Sequence, residues 1–191
     1  MTVKGKVRII GGRYRGRKIP IVHEEIRPTS DRVRETLFNW ISPKLVDKSC
    51  LDLFAGTGIL GIEALSRGAR RVVFVDHQQS IISEIQNQIR TLQLKNCSAV
   101  FSDSLRFLDN PKYLGSFDVI FLDPPFGVYN LKKLLDHIDQ TQSLNQKGMV
   151  YYESKQSLEK SIICESWDNY RESKAGNVYY GLLTKKTLNK I

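Results

Sequence analysis

Apolar residues come in short runs separated by amphipathic stretches. The runs Cys50–Phe54, Val72–Asp76, Ser98–Ser102, Val119–Asp123 and Met149–Glu153 have strand length, and Ile59–Arg67, Gln79–Leu92, Leu105–Asp109, Leu131–Gln140 and Gln156–Glu159 carry helical spacing. Regular alternation of the two predicts an α/β fold with a mostly parallel sheet covered by helices on both faces. Ile162–Cys164 and Val178–Lys185 read as two last strands with no strong helix between them, which predicts an antiparallel finish. Upstream, Pro28-Thr29-Ser30-Asp31 offers capping side chains, and Val33, Leu37, Phe38, Trp40 and Ile41 recur at helical spacing as far as Pro43. That spacing predicts an amphipathic helix leading into the core.

The chain has 191 residues, 41% of them apolar, which suits one compact domain with a small appendage. We divide it into an arm, residues 1–42, and a core, residues 43–191. No run of eighteen apolar residues occurs, and the opening MTVKGKVRII lacks the pattern of an export signal, so the expectation is a cytoplasmic protein with no membrane span. Cys50, Cys97 and Cys164 are far apart, with no CxxC pair and no Cys/His cluster. Neither a disulfide framework nor a metal site is expected, and the three read as small buried residues in strands. His23 and His137 suggest no catalytic pairing.

Charge changes the picture. Of a net charge of +9, most comes from residues 1–34, which hold ten basic and three acidic side chains. The segment RIIGGRYRGRKI sets Tyr14 among arginines, and Gly11, Gly12 and Gly16 allow the chain to turn. This predicts a short hairpin presenting Arg13, Arg15, Arg17 and Lys18, with Arg32 on the following helix, to the phosphates of a nucleic acid.

The stretch LDLFAGTGILGIEA joins a predicted strand to a helix through Gly56-x-Gly58-x-x-Gly61, with Asp76 ending the next strand. Glycines let the backbone approach a ligand and turn sharply into a helix, and a carboxylate after the second strand can accept hydrogen bonds from ribose hydroxyls. The pattern suits a nucleoside cofactor. Asp52, four residues before Gly56, would repel a pyrophosphate and welcome the ammonium of an amino-acid ligand, which favours S-adenosylmethionine over a nicotinamide dinucleotide. Ser102-Asp103-Ser104 closes the third strand; Asp103 either accepts from the adenine amine, with Ser104 beside it, or caps the helix that follows.

The fourth strand ends in Asp123-Pro124-Pro125-Phe126. Prolines stiffen the backbone and leave carbonyls free as acceptors, Asp123 adds an acceptor, and Phe126 offers a flat face for a base. Such a set suits an exocyclic amine, a poor nucleophile whose lone pair is delocalised into its ring. Accepting both N–H groups at Asp123 and the Pro124 carbonyl favours a pyramidal nitrogen and stabilises its growing positive charge.

With these segments in hand, the chain resembles the class I S-adenosylmethionine-dependent methyltransferases, in particular the bacterial family of RsmD type that methylates a guanine N2 amine in 16S ribosomal RNA. The likeness rests on RIIGGRYRGRKI, IRPTSDRVRETLFNW, LDLFAGTGILGIEALSRGA, DPPF and KAGNVYYGLL, and runs nearly the full length. It implies a Rossmann-like sheet of seven strands, a monomer, and a substrate presented within the small subunit or an assembly intermediate. It also implies Asp52, Gly56, Gly58 and Asp76 as cofactor contacts, Asp103 with Ser104 at the adenine, and Asp123 to Phe126 as the catalytic set. His77 is left between stacking on the adenine and facing solvent. Three rivals stand: a DNA adenine or cytosine amino-methyltransferase, disfavoured by the lack of a target-recognition insertion; an NAD-dependent oxidoreductase; and a silent RNA-binding protein, against which the intact DPPF stands.

Overall fold

The computed structural model describes residues 5–22, 28–158 and 166–186, which form two compact units, Met1–Ser104 and Leu105–Ile191. The larger sheet counts seven strands, as the resemblance implies, and a two-stranded hairpin stands apart from it.

In the first unit, β1 (Gly5–Arg8) and β2 (Lys18–Ile21) form the antiparallel hairpin expected of the basic segment. Helix α1 (Asp31–Leu45) follows, its Val33 amide donating to the Ser30 hydroxyl at 3.4 Å. The helix runs through Pro43 instead of stopping there. Proline costs a helix one amide donor, and here only Lys44 and Leu45 follow, with Leu45 fully buried. Then come β3 (Ser49–Asp52), α2 (Ile59–Ser66), β4 (Arg71–Asp76), α3 (Gln79–Leu92) and β5 (Cys97–Phe101), with the strands parallel in the order β5-β4-β3. All four residues of β3 are buried and β4 exposes only Arg71, the signature of strands covered on both faces. Cys50 is buried and Cys97 half-buried, neither in a disulfide, and burial pushes the Cys97 thiol up.

The hairpin is fastened to α2 through one buried carboxylate. Glu63 is fully enclosed, and its Oε2 accepts from the Ile10 amide (2.9 Å) and from Arg34 Nη1 (3.4 Å). Its Oε1 accepts from the Gly11 amide (2.7 Å) and Arg67 Nε (2.9 Å). Ser66 adds three links at the end of the helix: its hydroxyl donates to the Gly11 carbonyl and accepts from the Tyr14 amide, and its carbonyl accepts from the Arg13 amide. These amides satisfy carbonyl and side-chain groups that the end of α2 would otherwise leave open. Arg34 is wholly buried and also donates to the carbonyls of Thr29 and Arg8 and to Asp31.

Helix α4 (Ser104–Leu108) starts on the last residue of the first unit, and the second unit goes on with a single 3-10 turn at Pro111–Tyr113. It continues with β6 (Phe117–Leu122), α5 (Leu131–Gln140), β7 (Leu144–Ser154), β8 (Trp167–Ala175) and β9 (Val178–Lys185), in sheet order β6-β7-β9-β8. β6 and β7 are parallel, and β9 is antiparallel to both β7 and β8, giving the antiparallel finish. Strand β8 was not legible as a strand. After buried Trp167 its residues are polar and mostly exposed, and a bulge between Asn169 and Arg171 breaks its alternation. Of the helix expected at Gln156–Glu159, Gln156 and Ser157 are not helical and Glu159 lies outside the described residues, as do His23, Cys164 and the strand expected at Ile162–Cys164.

Truncating Glu63 to Ala should leave buried Arg34 with only the half-exposed Asp31 as counter-charge and strip acceptors from two amides. The expected loss is about 3–5 kcal/mol of unfolding free energy, read from the urea midpoint. Glu63→Gln, which keeps one acceptor oxygen, should lose distinctly less.

Candidate active site

Three parallel strands bring their carboxyl ends to one edge of the first unit, so Asp52, Asp76 and Asp103 come together there with the glycine loop. The loop residues Gly56 and Gly58 both sit at positive φ (51° and 74°), which a side chain would strain. Gly61 has a different task. A Cβ there would lie 2.3 Å from the Phe74 ring, so this glycine lets α2 pack against β4.

Asp52 and Asp76 both hold the loop in shape. Gly58 caps α2 without a side chain, and the Asp52 carboxylate, buried to 2% exposure, accepts the Gly61 amide at 3.0 Å instead. Burial pushes the Asp52 carboxyl up to about 7; the Gly61 amide opposes this and the nearby Asp76 charge adds to it. Asp76 accepts from the Gly56 amide (3.1 Å) and the Gln78 amide (3.0 Å), one on each oxygen. His77 is exposed, with Nδ1 3.5 Å from Asp76.

Ser104 starts α4 one residue earlier than expected. Its hydroxyl is buried with no hydrogen-bond partner among the described residues, an arrangement that calls for a ligand group. The loop from Leu53 to Gly58 carries no charged side chain. Two carboxylates, an unsatisfied hydroxyl and an uncharged glycine loop fit a ligand with an ammonium and ribose hydroxyls and offer a pyrophosphate no cation. These residues therefore suit S-adenosylmethionine. No group of His, Cys, Asp and Glu suited to a metal occurs among the described residues.

In the second unit β6 ends at Leu122, and Asp123 follows half-buried, Pro124 buried, and Pro125 and Phe126 exposed. Pro124, Phe126, Tyr129, Glu153 and Lys155 line a cavity of about 360 Å³. Lys155 Nζ lies 5.4 Å from the centre of the Phe126 ring. Glu153 and its neighbour Tyr151 were not picked out from the sequence. The available signal was position: both predicted runs, Val119–Asp123 and Met149–Glu153, end in a carboxylate.

Arg13, Arg15, Arg17, Lys18 and Arg32 are all exposed. The guanidiniums of Arg13 and Arg17 lie 5.7 and 5.5 Å from the centre of the Tyr14 ring. Arg34, counted among the basic residues of the arm, points inward and contributes no surface charge. No helix among the described residues is long and apolar enough to cross a membrane.

Comparison with known proteins bears on the family. The model described as "Conserved hypothetical protein 95" matches residues 7–184. Ribosomal RNA small subunit methyltransferase D of Haemophilus influenzae is 39% identical over 185 residues, covering 95% of each chain. The protein of the same name from Escherichia coli is 37% identical over 183 residues, covering 95% of this chain and 91% of its own. A solved structure from Escherichia coli superposes with a TM-score of 0.84 at 37% identity, covering 95% of this chain and 99% of that one. A match over this length, joined to the likeness of fold, places the chain in the "Conserved hypothetical protein 95" family, with the ribosomal RNA small subunit methyltransferases D among its relatives.

Proposed function

We propose that this protein transfers a methyl group from S-adenosylmethionine to the exocyclic N2 amine of a guanine in 16S ribosomal RNA, within the small subunit or an assembly intermediate, and acts as a monomer in the cytoplasm. The observation that carries the reading is the end of β6, where the half-buried carboxylate Asp123 directly precedes a buried Pro124 that lines a cavity a base could enter. The names of the relatives, small-subunit rRNA methyltransferases, agree with it.

S-adenosylmethionine supplies a methyl group activated by its positively charged sulfur. On this reading Asp52 attracts the ammonium of the amino-acid end, Gly56 and Gly58 let the backbone approach it, Asp76 accepts from the ribose hydroxyls, and Asp103 with Ser104 meets the adenine. Asp76 and Asp52 each use some lone pairs on their own backbone and keep others for the ligand. Asp123 and the Pro124 carbonyl accept from the target amine, aim its lone pair and stabilise the charge it gains on attack. Phe126 gives the base a ring to lie against, once Lys155 moves aside. In a paired duplex the amine edge is occupied, so the target is unpaired or turned out of its stack. The arm, residues 1–42, holds the neighbouring backbone, and residues 43–191 carry the chemistry.

Three outcomes are expected. Asp123→Ala should lower kcat by roughly a hundredfold or more, as loss of a donor or acceptor set for the transition state does elsewhere, with S-adenosylhomocysteine affinity nearly unchanged. Labelled-methyl transfer to small-subunit particles lacking the modification is the assay, with duplex DNA as the competing substrate; transfer only to DNA would favour the rival amino-methyltransferase.

Neutralising Arg13, Arg15 and Arg17 together should weaken RNA binding and flatten its dependence on salt, by about 0.7–0.9 in slope for each phosphate left without its arginine. Filter binding over a salt series measures both.

Asp52→Asn bears on pH. The folded carboxyl titrates near 7 against 3.8 in the free amino acid, so folding takes up a proton and stability falls as pH rises from about 4 through about 7. The Asn variant should lack that decline, with a higher urea midpoint than the parent at pH 8, while its affinity for S-adenosylmethionine drops because the charge is gone.

A further inference from the structure

The parallel register of β6 and β7 pairs Leu122 with Tyr152, and the next residue of each strand is a carboxylate, Asp123 and Glu153. Neighbouring strands run about 4.8 Å apart, so Asp123, just past the end of β6, and Glu153, the last residue but one of β7, stand side by side at the carboxyl edge of this pair. Glu153 is only 8% exposed, yet it lines the cavity beside Pro124 and Phe126. The buried Tyr151 hydroxyl donates to its Oε1 at 2.8 Å. Burial and the nearby charges of Glu153 and Asp123 hold the Tyr151 proton in place well above the ordinary tyrosine range, so the hydroxyl stays a donor at any working pH. Tyr151 thus fixes one oxygen of Glu153 and senses both acids.

The Watson–Crick edge of guanine presents two adjacent donors, the ring N1–H and the N2 amine. Adenine and cytosine present an amine beside a ring nitrogen that carries a lone pair. A carboxylate accepts and never donates, so it attracts the first edge and repels the other two. We infer that Glu153 selects guanine by accepting its N1–H while Asp123 receives the N2 amine, with Tyr151 as the positioning residue that orients Glu153; this rests on the base-amine transfer proposed above. A polar group that matches one base and leaves another's lone pair facing a buried negative charge discriminates by rejection as well as by attraction.

The test uses the full chain and particles reconstituted from 16S RNA ligated to carry either guanine or 2-aminopurine at the mapped target. 2-Aminopurine keeps the amine, carries a lone pair at N1 in place of N1–H and lacks O6, so the change of preference between parent and variant, not its absolute size, reports on Glu153. The parent enzyme should prefer guanine in kcat/KM by roughly tenfold to a hundredfold, the worth of one good base-edge contact. Glu153→Gln, whose amide can donate, should lose most of the guanine rate and bring the preference close to one, with thermal midpoint and S-adenosylhomocysteine affinity unchanged. Tyr151→Phe keeps the carboxylate but frees it to turn, and should shrink the preference part of the way. A preference that stays at the parent value in both variants overturns the assignment of Glu153. The methylated nucleoside separates this failure from that of the underlying reading: N2-methylguanosine with an unmoved preference removes only Glu153, whereas methyladenosine or methylcytidine as the product removes the guanine reading as well.

Discussion

A carboxylate with no access to water is costly unless its lone pairs are met, and Glu63 meets that demand with four donors drawn from three parts of the first unit. Two are backbone amides of the hairpin turn, one is Arg34 of α1, and one is Arg67 just past its own helix. The demand cannot be met by any one element, so the carboxylate fixes the turn, α1 and α2 against one another. The glycines of the turn follow from this. A Cβ on Gly12 would lie 1.9 Å from the Ser66 carbonyl oxygen, and one on Gly11 would meet the Arg67 guanidinium. They are present so that the chain can come close enough to donate.

A similar economy operates at the strand ends. Asp52 and Asp76 look from the sequence like ligand contacts, and both first serve the fold: one caps a helix that begins on a glycine, the other holds Gly56. Satisfying the backbone with acids that also face the ligand edge gives the loop a shape before any ligand arrives, and preorganised groups lose less on binding. The burden falls on Asp52, whose ionised form burial disfavours. A cationic ligand would relieve that burden, so the site is electrostatically unfinished without one.

What was legible in the sequence had short-range causes. Helices α3 and α5 and strand β9 end where their apolar spacing ends, at the residues expected. The glycine loop and the DPPF end were legible because few folds need those residues in that order. What stayed hidden depended on partners distant in sequence. Glu63 reads as one polar residue in an otherwise apolar helix, and only the return of the chain at Ile10 and Gly11 explains it. Arg34 reads as another cation for nucleic acid until its burial against Glu63 is seen. Strand β8 has no apolar face to announce it, since it holds its place through pairing with β9, and β7 extends back to Leu144 past a polar irregularity that interrupts its pattern.

Separating opposite charges within the first unit has a consequence for how the two proposed ligands would be served. The acids gather at the strand ends beside the start of α2, and the exposed arginines stand on the turn bound to its end at Ser66. Eight residues of helix, at about 1.5 Å each, put roughly 12 Å between them. The Debye length at physiological salt is about 8 Å, so salt reduces the field of the exposed arginines over that distance, while the buried Asp52 and Asp76 are screened less and rely on the separation itself. A shorter helix would let the two fields cancel, and a floppy attachment would let them collapse onto each other. The buried Glu63 prevents the second, which makes its packing a condition of the electrostatics as well as of the fold.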